Sequence, residues 1–206
     1  MPTVFLDLTS TENFPAFSDC PLAEELPYPS SNSTSLVKYL LGTIQLEATL
    51  STSPTYICKD RNGQQFAVTV RIHPAEIKSD LRGGGFDVTA WKRGWCLAIP
   101  NAKRHGVENG KQGYIVAEKK NIMVFHSNLE RLIQIAETLH KKGSLDTENE
   151  VCQACGAEEK SFKLKQCLGC EAVWYCQKKC QIQGWNEKGH KRECQLLRSL
   201  KLFYPR

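Results

Sequence analysis

Eight residues near the C-terminal end of the chain have side chains that bind soft metal ions. Seven of the ten cysteines lie between Cys152 and Cys194, and His190 lies among them. They form four closely spaced pairs: Cys152-x2-Cys155, Cys167-x2-Cys170, Cys176-x3-Cys180 and His190-x3-Cys194.

The spacing of these pairs suits metal binding. A gap of two residues lets both thiolates converge on one ion from a tight turn. A gap of three residues within a helix places both ligands on one face. Gly156 and Gly169 are expected to ease the turns beside the first two pairs. Eight ligands are the number that two closed tetrahedral zinc sites require, with no open position for catalysis on the metal.

Two other chemistries use paired cysteines and fit less well. A disulfide framework would leave one of the seven thiols unpaired and would require a secreted protein. The N-terminal sequence Met1–Asp7 lacks the basic region and long apolar core of a secretory signal. A redox Cys-x-x-Cys motif needs only one pair, at a strand-to-helix junction. The sequence therefore predicts two structural zinc ions. It also predicts that Cys58 and Cys96 are small apolar strand residues and that Cys20 is a thiol of a tail.

Charge is unevenly distributed along the 206 residues, whose net charge is +5. From Val151 to the end there are 11 Lys and Arg against 5 Asp and Glu. Seven thiolates and two zinc ions would reduce this excess by about three charges, so the basic residues are expected mainly to balance the thiolates rather than to bind phosphate. No apolar run approaches the roughly 18 residues of a membrane span. We expect a protein of the nucleus or cytoplasm, where thiols stay reduced.

The remaining sequence predicts an α+β fold in four segments. Residues 1–35 are acidic and rich in Ser and Pro, which is typical of a disordered tail. Residues 36–143 predict strands over Lys38–Leu50, Thr55–Asp60, Gln64–Ile72, Gly94–Pro100 and Gly113–Phe125, a tight turn at Asn62-Gly63, a short helix over His73–Leu81, and a closing amphipathic helix that begins with a capping box of Ser127 and Glu130. Residues 144–150 form a predicted linker, and residues 151–206 form the cysteine-rich module with a C-terminal helix.

The order of elements in residues 36–142 resembles an OB-fold, a small five-stranded β-barrel with a closing helix. This resemblance implies an alternative function, the binding of single-stranded nucleic acid on stacked aromatic residues. The competing interpretation is that the aromatic side chains of this domain fill the barrel interior instead of binding bases. The candidate aromatic residues are Phe86, Trp91, Trp95 and Tyr114, and the basic residues between them are Lys92, Arg93, Lys103, Arg104 and His105.

The cysteine-rich module resembles a MYND-type zinc finger. The order of its ligands, the segments "WYCQKKCQ" and "GWNEKGHKREC", and the final His-x3-Cys all match that family, although Gly184 stands where an acidic residue is common. The resemblance implies a cross-braced arrangement, in which the first and third pairs share one zinc ion and the second and fourth share the other. Zinc A would be held by Cys152, Cys155, Cys176 and Cys180, and zinc B by Cys167, Cys170, His190 and Cys194.

The same resemblance implies a non-enzymatic adaptor that recruits a protein partner through a short, proline-rich peptide, with an expected role in transcriptional regulation. Gln181 and Trp185 match the positions where the family presents a glutamine and a tryptophan to the peptide. The competing interpretation is that Trp185 is an internal packing residue, as is expected of Trp174. MYND fingers sometimes accompany a SET methyltransferase domain, but residues 1–150 contain none of that domain's motifs. The chain also has no G-x-S-x-G, P-loop or H-E-x-x-H motif.

Overall fold

The fold was analysed in a computed structural model that describes residues 7–24, 37–50, 53–72, 91–108, 110–141, 151–158 and 163–200. The chain divides into two compact units, one formed by Leu8–Arg131 and one that includes Leu132–Arg206. Both strands and helices are present, so the predicted α+β class is confirmed. The predicted linker 144–150 lies outside the described residues.

One large sheet dominates the first unit, in the order β5-β6-β3-β2-β1-β4-β7. Among the strands that the structure describes in this sheet, β3 and β6 are the one pair that runs in parallel. The strand β3 alternates exposed and buried residues because successive side chains point to opposite faces, and Phe66, Val68 and Val70 enter the core. The strands are β1 (Tyr39–Glu47), β2 (Thr55–Lys59), β3 (Gln65–Arg71), β4 (Cys96–Pro100), β5 (Arg104–His105), β6 (Tyr114–Glu118) and β7 (Met123–Phe125).

The closed OB-like barrel predicted from the order of elements is not confirmed. Among the described strands, β5 and β7 lie at opposite edges of the sheet and do not pair with each other. The single strand predicted over Gly113–Phe125 is instead two strands, because a 3-10 helix at Lys119–Asn121 interrupts it. The helix predicted over His73–Leu81 lies outside the described residues.

The tight turn predicted between β2 and β3 is confirmed. Gly63 has a φ of +83°, which a residue with a Cβ rarely adopts. The buried carboxylate of Asp60 organises this turn, because its Oδ1 accepts hydrogen bonds from the backbone N–H groups of Asn62 (2.9 Å) and Gln64 (2.8 Å).

The N-terminal segment is ordered where the sequence predicts a disordered tail. Phe14 and Phe17 are fully buried, and the Phe17 ring stacks on Phe66 with 4.8 Å between ring centroids. Arg61, in the same turn as Asp60, donates hydrogen bonds to the carbonyls of Phe14 (2.9 Å) and Leu8 (2.7 Å). The prediction of disorder is therefore wrong for residues 8–24.

The end of this segment lies along the edge strand β5. The backbone N–H of Arg104 donates to the carbonyl of Pro21, and the N–H of Ala23 donates back to the carbonyl of Arg104, both at 2.9 Å. The Arg104 side chain also donates to the carbonyl of Cys20 at 2.9 Å and lies 5.9 Å from the centre of the Phe17 ring. Residues 21–23 thus pair with an edge of the sheet.

Three cysteines belong to the core of the first unit. Cys58 and Cys96 are fully buried in β2 and β4, as predicted, and Cys20 is also buried instead of lying in a tail. Burial raises the pKa of all three thiols, to about 11 for Cys20, to about 12 for Cys96 and further for Cys58. They are protonated packing residues at neutral pH.

The helix α1 (Leu129–Lys141) follows β7. The Asn128 side chain, rather than the predicted Ser127–Glu130 capping box, occupies the N-cap, because its Oδ1 accepts from the backbone N–H of Arg131 at 2.9 Å. No helix in the described part of the chain has the length and apolar character to cross a membrane.

Beyond the predicted linker, the described residues of the second unit form two short strands and two helices. These are β8 (Lys165–Gln166), β9 (Trp174–Tyr175), α2 (Lys178–Asn186) and α3 (His190–Leu200). In the second unit Ile182 is 53% exposed and lies outside the core. The apolar residues that are buried instead form a short set: Leu164, Tyr175, Leu196, Leu197 and Leu200.

Candidate metal centre

Two tight backbone turns present the first two cysteine pairs. The N–H of Gly156 donates to the carbonyl of Cys152, and the N–H of Glu171 donates to the carbonyl of Cys167, both at 2.7 Å. Gly156 has a φ of +75° and Glu171 a φ of +50°. The residue after each pair therefore has a left-handed conformation, which costs nothing for glycine but about 1 kcal/mol for glutamate.

Gly169 has a different role from the one expected. It has no positive φ, but a Cβ built on it would lie 2.9 Å from the sulfur of Cys194. The glycine is required because a ligand sulfur approaches the backbone of the turn closely.

The third and fourth pairs lie at the starts of helices. Cys176 precedes α2 and Cys180 lies in its first turn, so their sulfurs are 3.2 Å apart. His190 is the first residue of α3, and Cys194 lies one turn later. Both members of that pair are buried and face the same cluster.

The four pairs converge into two clusters that alternate along the chain. Within each cluster the ligand atoms all lie within 4.8 Å of one another. The first and third pairs meet, and so do the second and fourth, as the cross-braced arrangement requires. The clusters are Cys152, Cys155, Cys176 and Cys180, and Cys167, Cys170, His190 and Cys194.

Two sulfur–sulfur distances in the clusters fit tetrahedral zinc, whereas the 3.2 Å between Cys176 and Cys180 is shorter. The sulfurs of Cys155 and Cys176 are 3.7 Å apart, and those of Cys167 and Cys194 are 3.9 Å apart. Zn–S bonds of about 2.3 Å in a tetrahedron place two sulfurs about 3.8 Å apart. The donor sets, four sulfurs in one cluster and three sulfurs with one imidazole in the other, fit two zinc ions. Four protein ligands complete each tetrahedron, so neither ion would hold a reactive water.

The electrostatic environment of the clusters favours metal binding. Burial raises the pKa of Cys152, but backbone N–H groups of Cys155, Cys176 and Ala154 donate to its sulfur and bring the pKa down to about 6. Burial and the neighbouring thiolates of its own cluster raise the pKa of Cys170 to about 12. A cation is therefore needed to hold a full set of thiolates together.

The fourth ligand of the second cluster is neutral. Burial lowers the pKa of His190, which favours the uncharged imidazole that binds metal. Its Nε2 lies 3.2 Å from the sulfur of Cys167 and 3.8 Å from that of Cys170, so this nitrogen is the ligand atom.

Comparison with known proteins agrees with this geometry. The sequence model of the family described as MYND finger matches residues 152–194. Residues 152–194 are a MYND finger. In a 57-residue match over the same region, the chain is 44% identical to human histone-lysine N-methyltransferase SMYD3 and 42% identical to the mouse protein of that name. Those residues are 27% of this chain, which spans only 12% of the length of either relative.

The two residues predicted to meet a peptide lie on α2 of the MYND finger. Gln181 is exposed, and Trp185, one helical turn later, is 37% exposed. The Trp185 ring contacts the ring of His190 edge-on, with 5.5 Å between centroids. Trp185 therefore contacts a ligand of the second cluster, although the helix that carries it also carries Cys180 of the first cluster.

Tyr175, which has no predicted role, explains why position 184 is a glycine. The buried Tyr175 ring lies so close to α2 that a Cβ on Gly184 would overlap it. The Tyr175 hydroxyl donates to Gln153 Oε1 at 3.0 Å. The only signal in the sequence is the position of the tyrosine beside Cys176. Trp174, predicted to be a packing residue, is half-buried, and its indole N–H is buried without a hydrogen bond to any described residue.

The aromatic residues predicted as a nucleic-acid surface belong to the first unit. Trp91 packs on the buried ring of Tyr56 at 5.3 Å, and Trp95 packs on the ring of His126 at 4.0 Å. Both tryptophans are half-buried against the hydrophobic core. These contacts favour packing over stacking on bases.

Tyr114 differs from the tryptophans. It is 42% exposed on β6, and its ring lies 6.0 Å from that of His105 on β5. Phe86, the remaining aromatic candidate, lies outside the described residues.

Proposed function

We propose that this protein is a zinc-dependent, non-enzymatic adaptor that recruits a protein partner through helix α2 of its MYND finger. The observation that carries the proposal is the pairing of Gln181 and Trp185, which lie one helical turn apart and are both exposed. Two residues four positions apart lie on the same side of a helix, so one ligand can contact both. Ile182, 53% exposed, adds apolar surface on the same helix.

The chemistry of this surface suits an extended, proline-rich peptide. The flat indole of Trp185 offers an apolar wall to a proline ring, and its contact with His190 limits its motion. The amide of Gln181 can accept from or donate to the backbone of an extended peptide. Such a peptide is nearly straight before it binds, which lowers the entropy cost of capture.

The adaptor role is favoured over catalysis by the extent of the match to the relatives. The two relatives are named as histone-lysine N-methyltransferases, but the shared region is the MYND finger and covers 12% of their length. A finger whose ligands complete both tetrahedra holds metal for structure, not for reaction. We place this adaptor in the nucleus or cytoplasm, with a role in transcriptional regulation.

A fluorescence-anisotropy titration tests the proposal. The zinc-loaded full-length protein is titrated into labelled proline-rich peptides, and Gln181→Ala is compared with Leu168→Ala as a control. Leu168 is 92% exposed but lies in the turn between Cys167 and Cys170, away from α2 in sequence. We expect binding that Gln181→Ala weakens and Leu168→Ala leaves unchanged. If no proline-rich peptide binds, the proposal fails.

Binding of single-stranded nucleic acid by the first unit is the less favoured function. The rings of Trp91 and Trp95 each pack against the ring of a neighbouring side chain, so less of their ring surface is available for stacking on bases. Residues 21–23 cover the edge of the sheet at Arg104, one of the basic candidates.

A further inference from the structure

The two ligand clusters of the MYND finger differ in exposure. In the four-sulfur cluster, Cys155 is exposed and Cys176 is half-buried. In the cluster that contains His190, all four ligands are buried, and His190 itself is fully buried. The surroundings of His190 therefore consist of protein groups rather than water.

The nitrogen of His190 that faces away from the cluster has no hydrogen-bond partner among the described residues. Nε2 faces the sulfurs of Cys167 and Cys170, which leaves Nδ1 to carry the proton when a metal is bound. Nδ1 is buried and makes no hydrogen bond within the part of the chain that is described. A metal-binding histidine usually has its ring fixed by an acceptor at that second nitrogen.

Two aromatic rings pack against the His190 ring. Tyr175 meets it edge-on, with 6.0 Å between centroids and 66° between planes. Trp185 is closer, at 5.5 Å and 71°. Tyr175 is buried and held by its hydrogen bond to Gln153, whereas Trp185 is partly open to solvent.

We propose that Trp185 is a positioning residue for the second zinc site, fixing the orientation of the His190 imidazole by edge-on packing. The exposed indole would then have two sides with different tasks, one that supports a metal ligand and one that faces solvent. This role does not depend on any partner, so it extends beyond the proposed function. The solvent-facing surface of Trp185 would then keep its position only while the second zinc site is intact.

Cadmium-113 NMR of the full-length protein loaded with cadmium tests this role at each site separately. A site with four sulfurs and a site with three sulfurs and one nitrogen give distinct signals. The variants are Trp185→Ala, which removes the edge contact, and Trp185→Phe, which keeps an aromatic ring. Ile182→Ala is the matched control, because Ile182 is exposed on the same helix and belongs to no described ring contact.

We expect Trp185→Ala to shift or broaden the signal of the sulfur–nitrogen site and to leave the four-sulfur signal in place. Trp185→Phe should restore most of the original signal, and Ile182→Ala should change neither. Zinc release to a coloured chelator should accelerate about tenfold or more for one of the two ions in Trp185→Ala, the effect expected when a metal ligand loses its outer support.

Two results would overturn the proposal. If Trp185→Ala leaves the sulfur–nitrogen signal and both release rates at wild-type values, the ring does not position His190. If both cadmium signals and both release rates change together, the tryptophan stabilises the whole finger and has no specific role at the second site. Because no peptide is present, neither result depends on whether the finger binds a proline-rich partner.

Discussion

The buried carboxylate of Asp60 accepts a hydrogen bond from the backbone N–H of Phe17, 43 residues earlier in the chain, at 2.9 Å. The same carboxylate accepts from the N–H groups of Asn62 and Gln64. One side chain therefore organises the turn between β2 and β3 and also anchors the N-terminal segment to the sheet.

Replacement of this carboxylate should destabilise the first unit. Asp60→Ala leaves three backbone donors without an acceptor, and we expect a loss of about 2–3 kcal/mol in the free energy of unfolding. Urea denaturation followed by tryptophan fluorescence measures this loss, and hydrogen exchange should show reduced protection of residues 8–24. Asp19→Asn, an exposed position in the same segment, is the control. Unchanged stability in Asp60→Ala would contradict the anchoring role.

The left-handed conformation of Glu171 predicts a stabilising substitution. Glu171→Gly removes the steric cost of a positive φ and should stabilise the zinc-loaded finger by about 1 kcal/mol. Gly156→Ala, at the matching position of the first turn, should have the opposite sign because its φ is +75°. Thermal unfolding of the two variants checks both. A destabilised Glu171→Gly would mean that the glutamate side chain has a role beyond its backbone position.

The burial of the cysteines predicts a staged pattern of alkylation. At pH 8, seven thiols should react with N-ethylmaleimide after zinc is removed by a chelator, and all ten only after denaturation. Thiolates are the reactive form, and burial raises the pKa of Cys20, Cys58 and Cys96 well above that pH, so these three stay protonated while the first unit is folded. Intact-mass spectrometry counts the adducts. Ten adducts in the chelated protein would show that the first unit unfolds with the finger.

The packing of Trp91 and Trp95 predicts weak or absent binding of single-stranded nucleic acid. A gel-shift titration with oligonucleotides at two salt concentrations should show no salt-dependent complex. A salt-dependent shift that Tyr114→Ala abolishes would instead establish the alternative function, because Tyr114 is the exposed residue among the described aromatic candidates.

The metal clusters could be predicted from the sequence because their ligands are close in the chain and their number is fixed by tetrahedral coordination. The four pairs follow from this spacing, whereas the cross-braced partners, which also match the clusters in the structure, were implied by the resemblance to MYND fingers. The turn at Asn62-Gly63 was also predictable, since a local dipeptide determines it.

Long-range contacts were not predictable in the same way. Phe14 and Phe17 have no helical or strand period, and they are held by Asp60 and Arg61, residues more than 40 positions away. The edge contact between Trp185 and His190 likewise depends on how α2 and α3 meet, which no spacing specifies. Sequence periodicity indicates local structure only. A segment such as residues 8–24, which packs through backbone hydrogen bonds and two isolated rings, therefore has the sequence pattern of a disordered tail.

We propose that two structural zinc ions hold a MYND finger whose helix α2 captures a proline-rich partner. The most direct measurement is an anisotropy titration of one labelled proline-rich peptide with the full-length protein, before and after chelation and again after zinc is restored. We expect saturable binding with zinc, loss of binding after chelation and recovery on reloading. Binding that survives complete zinc removal, or no binding by the zinc-loaded protein, would contradict it.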